Sequence, residues 1–280
     1  MFPVAAFRML KAGTIAARLT RWFLLIGLIP LALALCVADR TFTRAMKREI
    51  ENNLVAIAGN KANYIRAYAL ERERDVTKLA QDPTIVAAAR RLVEACANGG
   101  TDSARYAAVD REFRPFLTYY KERSGYADVL LFSPAGDAVF SVTRRDDLKA
   151  NAVRGAYRDS ELAKVFVRAT TLLGTEISRF DYYPATAQPA AFVAAPVLQQ
   201  GDVVGVVALQ MSSRELYELV QDYMGLGQTG ELILGVKVHD HAVFVTPVRH
   251  DPQAAFRRRL PLVSRELHGR PLREAVQGRR

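Results

Sequence analysis

The chain has 280 residues, half of them apolar and about a quarter charged, with 17 glycines and 12 prolines. That composition excludes a disordered chain, a collagen and a disulfide miniprotein, and leaves one large or two ordinary domains. The formal net charge of +10 is carried by the two ends: residues 1–21 hold Arg8, Lys11, Arg18 and Arg21 with no acid, and residues 249–280 hold nine arginines against Asp251, Glu266 and Glu274. Residues 22–248 balance 26 bases with 26 acids. A neutral body lacks the face-wide positive patch that phosphate neutralisation requires, so no nucleic-acid partner is expected. The two cysteines, Cys36 in the most apolar run and Cys96 in a polar helical region, are unlike partners, and no disulfide framework is implied.

The first element is Trp22–Ala38, WFLLIGLIPLALALCVA, seventeen residues without a charge. As a helix it spans ~25 Å of hydrocarbon. Pro30 is tolerated in a membrane helix, and Trp22 stands where an interfacial aromatic belongs. The basic flank before it predicts a cytoplasmic N-terminus and an extracytoplasmic body, periplasmic in a Gram-negative cell. A cleaved signal peptide is the rival reading, since Cys36-Val37-Ala38 resembles a small-residue cleavage site. We read the segment as an anchor.

From about Arg40 to Ala80 apolar residues recur at three- and four-residue steps with no proline until Pro83, which predicts one long helix serving as a spine. A second helix is predicted over Thr84–Ala97 and a third over Asp102–Arg123, bent or broken near Pro115. The period then changes to that of strands. Asp128–Ser133 and Ala138–Thr143 predict a hairpin across Pro134-Ala135-Gly136-Asp137. Glu161–Leu172 is helical, Thr175–Tyr183 extended, and Ala190–Leu198 pairs with Val203–Met211 across Gln199-Gln200-Gly201-Asp202. These last two strands are almost continuously apolar, so both of their faces must be covered, one by the spine helix and the other by a closing lobe. After a helix at Ser213–Met224, strands at Glu231–Val238 and Ala242–Thr246 open a second module that looks unfinished.

Gly225-Leu226-Gly227-Gln228-Thr229-Gly230 matches G-x-G-x-x-G, but a helix precedes it and a strand follows, the reverse of the order that puts a helix N-terminus on pyrophosphate. It reads as a turn between modules. His239, His241 and His250 have spacings open to metal ligation, yet His239-Asp240-His241 reads better as a hairpin tip, and no metal is expected. There is no G-x-S-x-G, H-E-x-x-H, Walker sequence or paired C-x-x-C, and no catalytic role is expected of this chain. Arg144, Arg145, Tyr157-Arg158-Asp159-Ser160 and Phe180-Asp181-Tyr182-Tyr183-Pro184 can build a small-molecule pocket, with aromatic walls and charges that fix a carboxylate or amine. Tyr157–Ser160 is equally open to the reading that Asp159 or Ser160 caps the helix at Glu161.

The segments ADVLLFSPAGDAVFSV (127–142), AYRDSELAKVF (156–166), PAAFVAAPVLQQGDVVGVVALQM (189–211) and GLGQTGELILG (225–235), taken with the membrane helix and spine, resemble the extracytoplasmic double Cache sensor family over about residues 20–250. The resemblance implies an α+β chain: a basic cytoplasmic N-terminus (1–21), a transmembrane helix (22–38), a spine helix (39–80), a membrane-distal PAS-like antiparallel αβ module (81–212) and a partial membrane-proximal module with a basic tail (213–280). It implies the sensing part of a single-pass inner-membrane receptor of sensor-kinase or chemoreceptor type, acting as a homodimer without a cofactor. The distal module would bind a small metabolite, of amino-acid or carboxylate class, at Arg144, Tyr157, Asp159, Asp181, Tyr183 and Phe192. Relatives re-enter the membrane and continue into an output region, whereas no second uncharged run of seventeen follows Ala38 here. The expectation is a receiver without a recognisable output. A stand-alone tethered or secreted binding protein, or a truncated remnant, is the alternative, and the arginine tail fits an interrupted domain.

Overall fold

A computed structural model describes residues 15–145, 148, 150–263 and 270–278. Arg8, Lys11, Arg265, Glu266, Arg279 and Arg280, part of both basic ends, lie outside the described residues. The chain divides into two compact units, Met1–Ala58 and Gly59–Arg280.

The first unit is helical from Ile15, where helix α1 (Ile15–Gln81) begins and runs through Pro30 without interruption. Its apolar side chains find no cover: Trp22 is 65% and Phe23 83% exposed. It contains a window long and apolar enough to cross a membrane. Just past that window Thr41 Oγ1 donates back to the carbonyls of Val37 and Ala38, both at 2.9 Å, a bond that keeps a polar side chain satisfied without leaving the helix.

In the second unit the last turns of α1 bury Val76, Leu79 and Ala80. Arg72 fastens this segment: its guanidinium lies 4.8 Å from the Tyr68 ring centre and 5.1 Å from that of Tyr126, donates to Ser124 O at 3.2 Å, and stands 3.9 Å from Glu215. Helices α2 (Pro83–Ala97) and α3 (Ala104–Arg123) follow, capped by Asp82 and Ser103, whose side chains accept from Thr84 N and Tyr106 N. Helix α3 passes through Pro115 unbroken, so of the predicted bend or break the break is absent.

The first sheet comprises β1 (Asp128–Phe132), β2 (Ala138–Ser141), β3 (Glu176–Ile177), β4 (Asp181–Tyr183), β5 (Gln188–Gln199) and β6 (Asp202–Met211). Its order is β2-β1-β6-β5-β3, with β4 also on β5 and every pairing antiparallel. The two-residue turn between β5 and β6 holds Gln200 and Gly201 at φ +55° and +95°, the backbone that matches the twist of a tight hairpin. The extended segment predicted over Thr175–Tyr183 is two short strands. Between them Ser178 exchanges bonds with Phe192 on β5, its N donating to Phe192 O at 2.7 Å and its Oγ accepting from Phe192 N at 2.8 Å.

Successive residues of each strand face opposite sides. Val129, Leu131, Val193, Val207 and Leu209 join one core with α2, α3 and the end of α1. Leu130, Phe132, Phe192, Ala194, Val206 and Ala208 join a second core with helix α4 (Glu161–Leu172). Both faces are therefore covered, as the continuous apolarity demands. The cover on the first face is mainly α2 and α3, with the spine contributing its last turns, a correction to the expectation that the spine covers it. The reason is steric: α2 buries small residues, Ala88, Ala89 and Ala95, and its backbone comes close to the sheet. A Cβ on Gly205 would meet Phe132 O at 2.9 Å and Ala89 Cβ at 3.2 Å.

Helix α5 (Ser213–Gln221), shorter than the predicted Ser213–Met224, leads to β7 (Gly235–Val238), β8 (His241–Phe244) and β9 (Arg259–Pro261), an antiparallel sheet in that order. Helix α6 (Arg270–Val276) closes one side of it, with Leu272 packed among Ala242, Phe244, Val248 and Ala254. Neither β9 nor α6 is foreseen in the sequence, and β7 starts at Gly235 rather than Glu231.

The close contact at Gly205 yields a test. Gly205→Ala should destabilise the full chain by about 1–3 kcal/mol through overpacking, read as a lower denaturant midpoint; a midpoint equal to wild type would show that α2 does not sit on β6 this closely.

Candidate ligand site

The α4-facing side of the first sheet carries an aromatic cluster. Tyr183, 2% exposed, meets the edge of Phe192 at 4.9 Å between ring centres, Tyr157 meets Tyr183 at 5.8 Å, and Phe132 meets Phe166 at 5.6 Å. Over it lies the segment 150–160, an irregular stretch held to the β1–β2 turn. Ala138 N donates to Ala150 O at 2.8 Å and Ala152 N to Gly136 O at 2.7 Å. Asn151 staples the same corner, donating from Nδ2 to Ala135 O and to Asp137 Oδ1 and accepting at Oδ1 from Val153 N and Arg154 N. Ser160 is the N-cap of α4, its Oγ accepting from Ala163 N at 3.2 Å. The cavity left under this cover, among Phe132, Asn151, Tyr157, Ser160 and Tyr183, measures about 10 Å³. That is room for a single water and no more.

Along the same face runs a buried polar row. Asp128 is wholly buried and takes four donors: Val129 N at 2.8 Å, Ser141 Oγ at 2.7 Å, Thr143 Oγ1 at 2.6 Å and Thr143 N at 3.1 Å. Its strand partner is Gln210, 4% exposed, which in turn pairs with Phe192. Gln210 Oε1 is buried without a hydrogen-bond partner among the described residues. Leaving such an acceptor unpaired costs about 1–3 kcal/mol, an expense that a polar group arriving from outside would relieve. Asp128 has no spare capacity; Gln210 has.

A second charged centre lies on the other side of the sheet. Asp110 on α3, 3% exposed, accepts from Arg114 Nε at 2.9 Å and Nη2 at 2.6 Å and from Arg144 Nη2 at 2.5 Å. Arg114 also donates to the carbonyls of Ser141 and Val142. Burial acts to raise the pKa of Asp110, but the hydrogen bonds and charges of Arg114 and Arg144 outweigh it and hold the carboxyl below its ordinary range. The open groove beside it, about 790 Å³, runs along α3 past Tyr106 and Tyr119.

The six residues singled out from sequence separate into four places. Tyr157, Tyr183 and Phe192 come together in the aromatic cluster. Arg144, at φ +52°, turns its side chain to Asp110 and the α3 groove. Asp159 is exposed beside Arg158. Asp181 lines a cleft of about 410 Å³ that reaches β7 and β9. Asp128, Ser178 and Gln210 were not foreseen, although each is a polar residue at or beside a strand of otherwise apolar residues, and that is the signal that marks them.

The glycine-rich loop at 225–230 turns its carbonyls, not its amides, to a charge. Arg249 Nη1 donates to Gly227 O at 3.0 Å and also to Gln228 O, and its guanidinium lies 4.2 Å from the Tyr223 ring centre. A phosphate cradle needs the opposite polarity. Among the described residues no group of three or more His, Cys, Asp or Glu is placed to hold a metal ion.

No family model matches the chain, and no curated protein matches it. Among solved structures it is similar to the sensor domain of the V. cholerae histidine kinase DctB, with a TM-score of 0.46 and 17% identity over 61% of this chain and 59% of that one. It is similar also to the ligand-binding domain of the Pseudomonas fluorescens chemoreceptor CtaA in complex with L-isoleucine, with a TM-score of 0.43 and 16% identity over 76% of this chain and 74% of that one. A third is the E. coli DcuS sensor domain, with a TM-score of 0.39 and 11% identity over 56% of this chain and 97% of that one. The chain thus spans less than two thirds of the DctB domain.

The centre at Asp110 gives a pH-dependent prediction. A carboxyl whose folded pKa is depressed stabilises the fold above its unfolded value, about 3.9, and loses that contribution as pH falls toward the folded pKa. Asp110→Asn should therefore cost about 2 kcal/mol near neutrality and progressively less below roughly pH 4. Denaturation of both full chains across that range checks it, and a cost independent of pH would remove the ion pair from the account.

Proposed function

We propose that the chain is the ligand-sensing extracytoplasmic part of a membrane signal-transduction receptor, and that its ligand binds on the α4-facing side of the first sheet. The observation that carries this reading is the buried, unpartnered Oε1 of Gln210 beside Phe192, on the sheet face that also bears the aromatic cluster and the irregular cover at 150–160. An acceptor of that kind calls for a ligand with an N–H or O–H donor, such as the ammonium group of an amino acid, while Tyr157, Tyr183 and Phe192 supply apolar walls.

Residues 22–38 then serve as the anchor, consistent with an exposed apolar run that water would penalise. Residues 81–212 form the distal sensing module and residues 213–280 belong to the proximal one. The body lies outside the cytoplasmic membrane, and two copies associate. Because the cavity is nearly filled, the ligand binds a form in which the cover at 150–160 has moved, and it shifts the population toward that form. The chain's part in this reading is reception, with no chemical step of its own.

Gln210→Leu separates a binding role from a structural one. Replacing an unpaired acceptor by an apolar group of similar size should leave the ligand-free chain as stable as wild type or more so. In wild type, an amino acid or carboxylate at 100-fold its dissociation constant should add about 2.7 kcal/mol to stability, and Gln210→Leu should abolish that gain. Thermal unfolding of the full chain in detergent, with a panel of amino acids and carboxylates, reads both quantities. A panel that moves neither chain, or moves both equally, would sink the assignment of this face.

A further inference from the structure

A cavity of about 300 Å³ lies where the spine and the end of β6 meet the three-stranded sheet. Tyr68 and Ala69 of α1, with Phe180 and Met211, line it from one side; Leu234, Val236 and Val245 line it from the three-stranded sheet. Met211 alternates with Gln210 along β6 and belongs to the core under α2, α3 and the end of α1, so the first sheet separates this cavity from the face that bears Gln210. The facing of the small sheet is fixed by alternation too. A Cβ on Gly235 would run into Leu272 of α6, so Leu234 and Val236 on either side of it point away from α6. Val236 pairs with Val243, and Val245 N donates to Leu234 O at 2.8 Å, which puts Val245 on the face of Leu234 and Val236.

The polar groups that border this room are already engaged. Ser178 Oγ accepts from Phe192 N and donates to Arg179 O at 2.9 Å, and the Arg179 guanidinium lies 3.5 Å from Glu161, on α4. Burial, and then the neighbouring Glu215 carboxylate, hold the Tyr68 phenol above its ordinary range, so it keeps its proton. Walls of this kind give water few partners, and a charge brought against them would lose its hydration without return. Ala69 opens the room on the spine side. It lies one turn beyond Ile65, which also lines the cavity, and its single methyl leaves the space that a longer side chain would take.

We infer that this cavity binds a compact, uncharged apolar molecule, a small aromatic or branched hydrocarbon, between the spine and the three-stranded sheet. Its affinity comes from apolar surface removed from water on both partners. The guest touches α1, β6 and the β7–β8 pair at once, so its binding favours the arrangement in which these three stand together. The site does not rest on the reading given for the other face of the first sheet: that face calls for a hydrogen-bond donor, and this cavity offers a donor no acceptor.

The test is a titration of the full chain in nanodiscs with toluene, read by NMR of carbon-13-labelled methionine methyls. Met211 lines the cavity and Met224 is 82% exposed, so the first reports the site and the second the surroundings. Toluene should shift Met211 saturably and leave Met224 in place, whereas benzylamine and benzoate, similar in girth but charged, should not shift Met211. Ala69→Leu should abolish the toluene response; leucine is a good helix former and adds no polar group, so the fold should survive. Val236→Leu fills the same room from the other sheet and decides the matter if the first variant does not fold. Gln210→Leu should leave the toluene response intact, which separates this site from the one on the other face. No saturable shift at Met211, a shift that persists in a folded cavity-filling variant, or an equal response to benzylamine would overturn the proposal.

Discussion

Everything in the second unit answers to one constraint: β5 and β6 are apolar on both faces, and each face has to be taken out of water. An antiparallel hairpin of this kind cannot stand alone, since it exposes as much apolar surface as it buries. Alanine and glycine decide how the covers fit. Ala88 and Ala89 on α2 let that helix approach until Gly205 is the one residue the contact admits, so the α2 side is packed tightly and built for permanence. The α4 side is assembled from larger and less regular parts, aromatic rings and an irregular loop, and it carries the unpartnered Gln210 Oε1.

The charged groups reinforce that asymmetry. Asp110 binds Arg114 on its own helix and Arg144 on the segment leaving β2, and Arg114 also caps two carbonyls at the end of β2. One carboxylate thus ties α3 to the edge of the sheet. Asp128 does the same work on the inner side, drawing Ser141 and Thr143 onto β1. Both are saturated, and a saturated buried carboxylate contributes rigidity instead of chemistry. Gln210 Oε1 on the sheet face, like Arg72 Nε and Thr246 Oγ1 elsewhere, is buried without a partner among the described residues and keeps capacity for a further bond.

The apolar hairpin was legible because its signal is local: two continuous apolar runs around Gln-Gln-Gly-Asp admit few other readings, and the observed β5 and β6 extend them by a residue or two at their ends. The helix at Glu161 was legible for the same reason, with Ser160 as its cap. The spine's share of the cover was not, because periodicity marks a helix that can bury a face without saying which face of which sheet it meets. A proline inside a helix is read from sequence as a bend or a break, whereas in α3 the buried Phe113 and Leu117 on either side of Pro115 keep the helix unbroken. At the site, Tyr157, Tyr183 and Phe192 converge since aromatic rings near one sheet face seek each other. Arg144 goes elsewhere, claimed by an acid thirty-four residues earlier, and no local pattern announces a partner at that separation.

On the reading proposed for this face, the closed cover bears on affinity. Its anchoring bonds, Ala138 to Ala150, Ala152 to Gly136 and the two from Asn151 Nδ2 to Ala135 and Asp137, are each worth about 1 kcal/mol net, so lifting even part of the cover costs a few kcal/mol. A cost near 3 kcal/mol leaves below about 1% of molecules open, and observed affinity falls below intrinsic affinity by that fraction. The unpartnered Gln210 offsets part of this expense, because the closed form retains a penalty that a bound donor removes. Selectivity follows from the same balance. A purely apolar molecule fills the aromatic walls but leaves Gln210 unpaired, whereas one with a donor does both, and the difference of about 1–3 kcal/mol is 5- to 150-fold in binding. A face closed by such a cover, with one unpartnered acceptor, is therefore better suited to telling ligands apart than to holding any of them tightly.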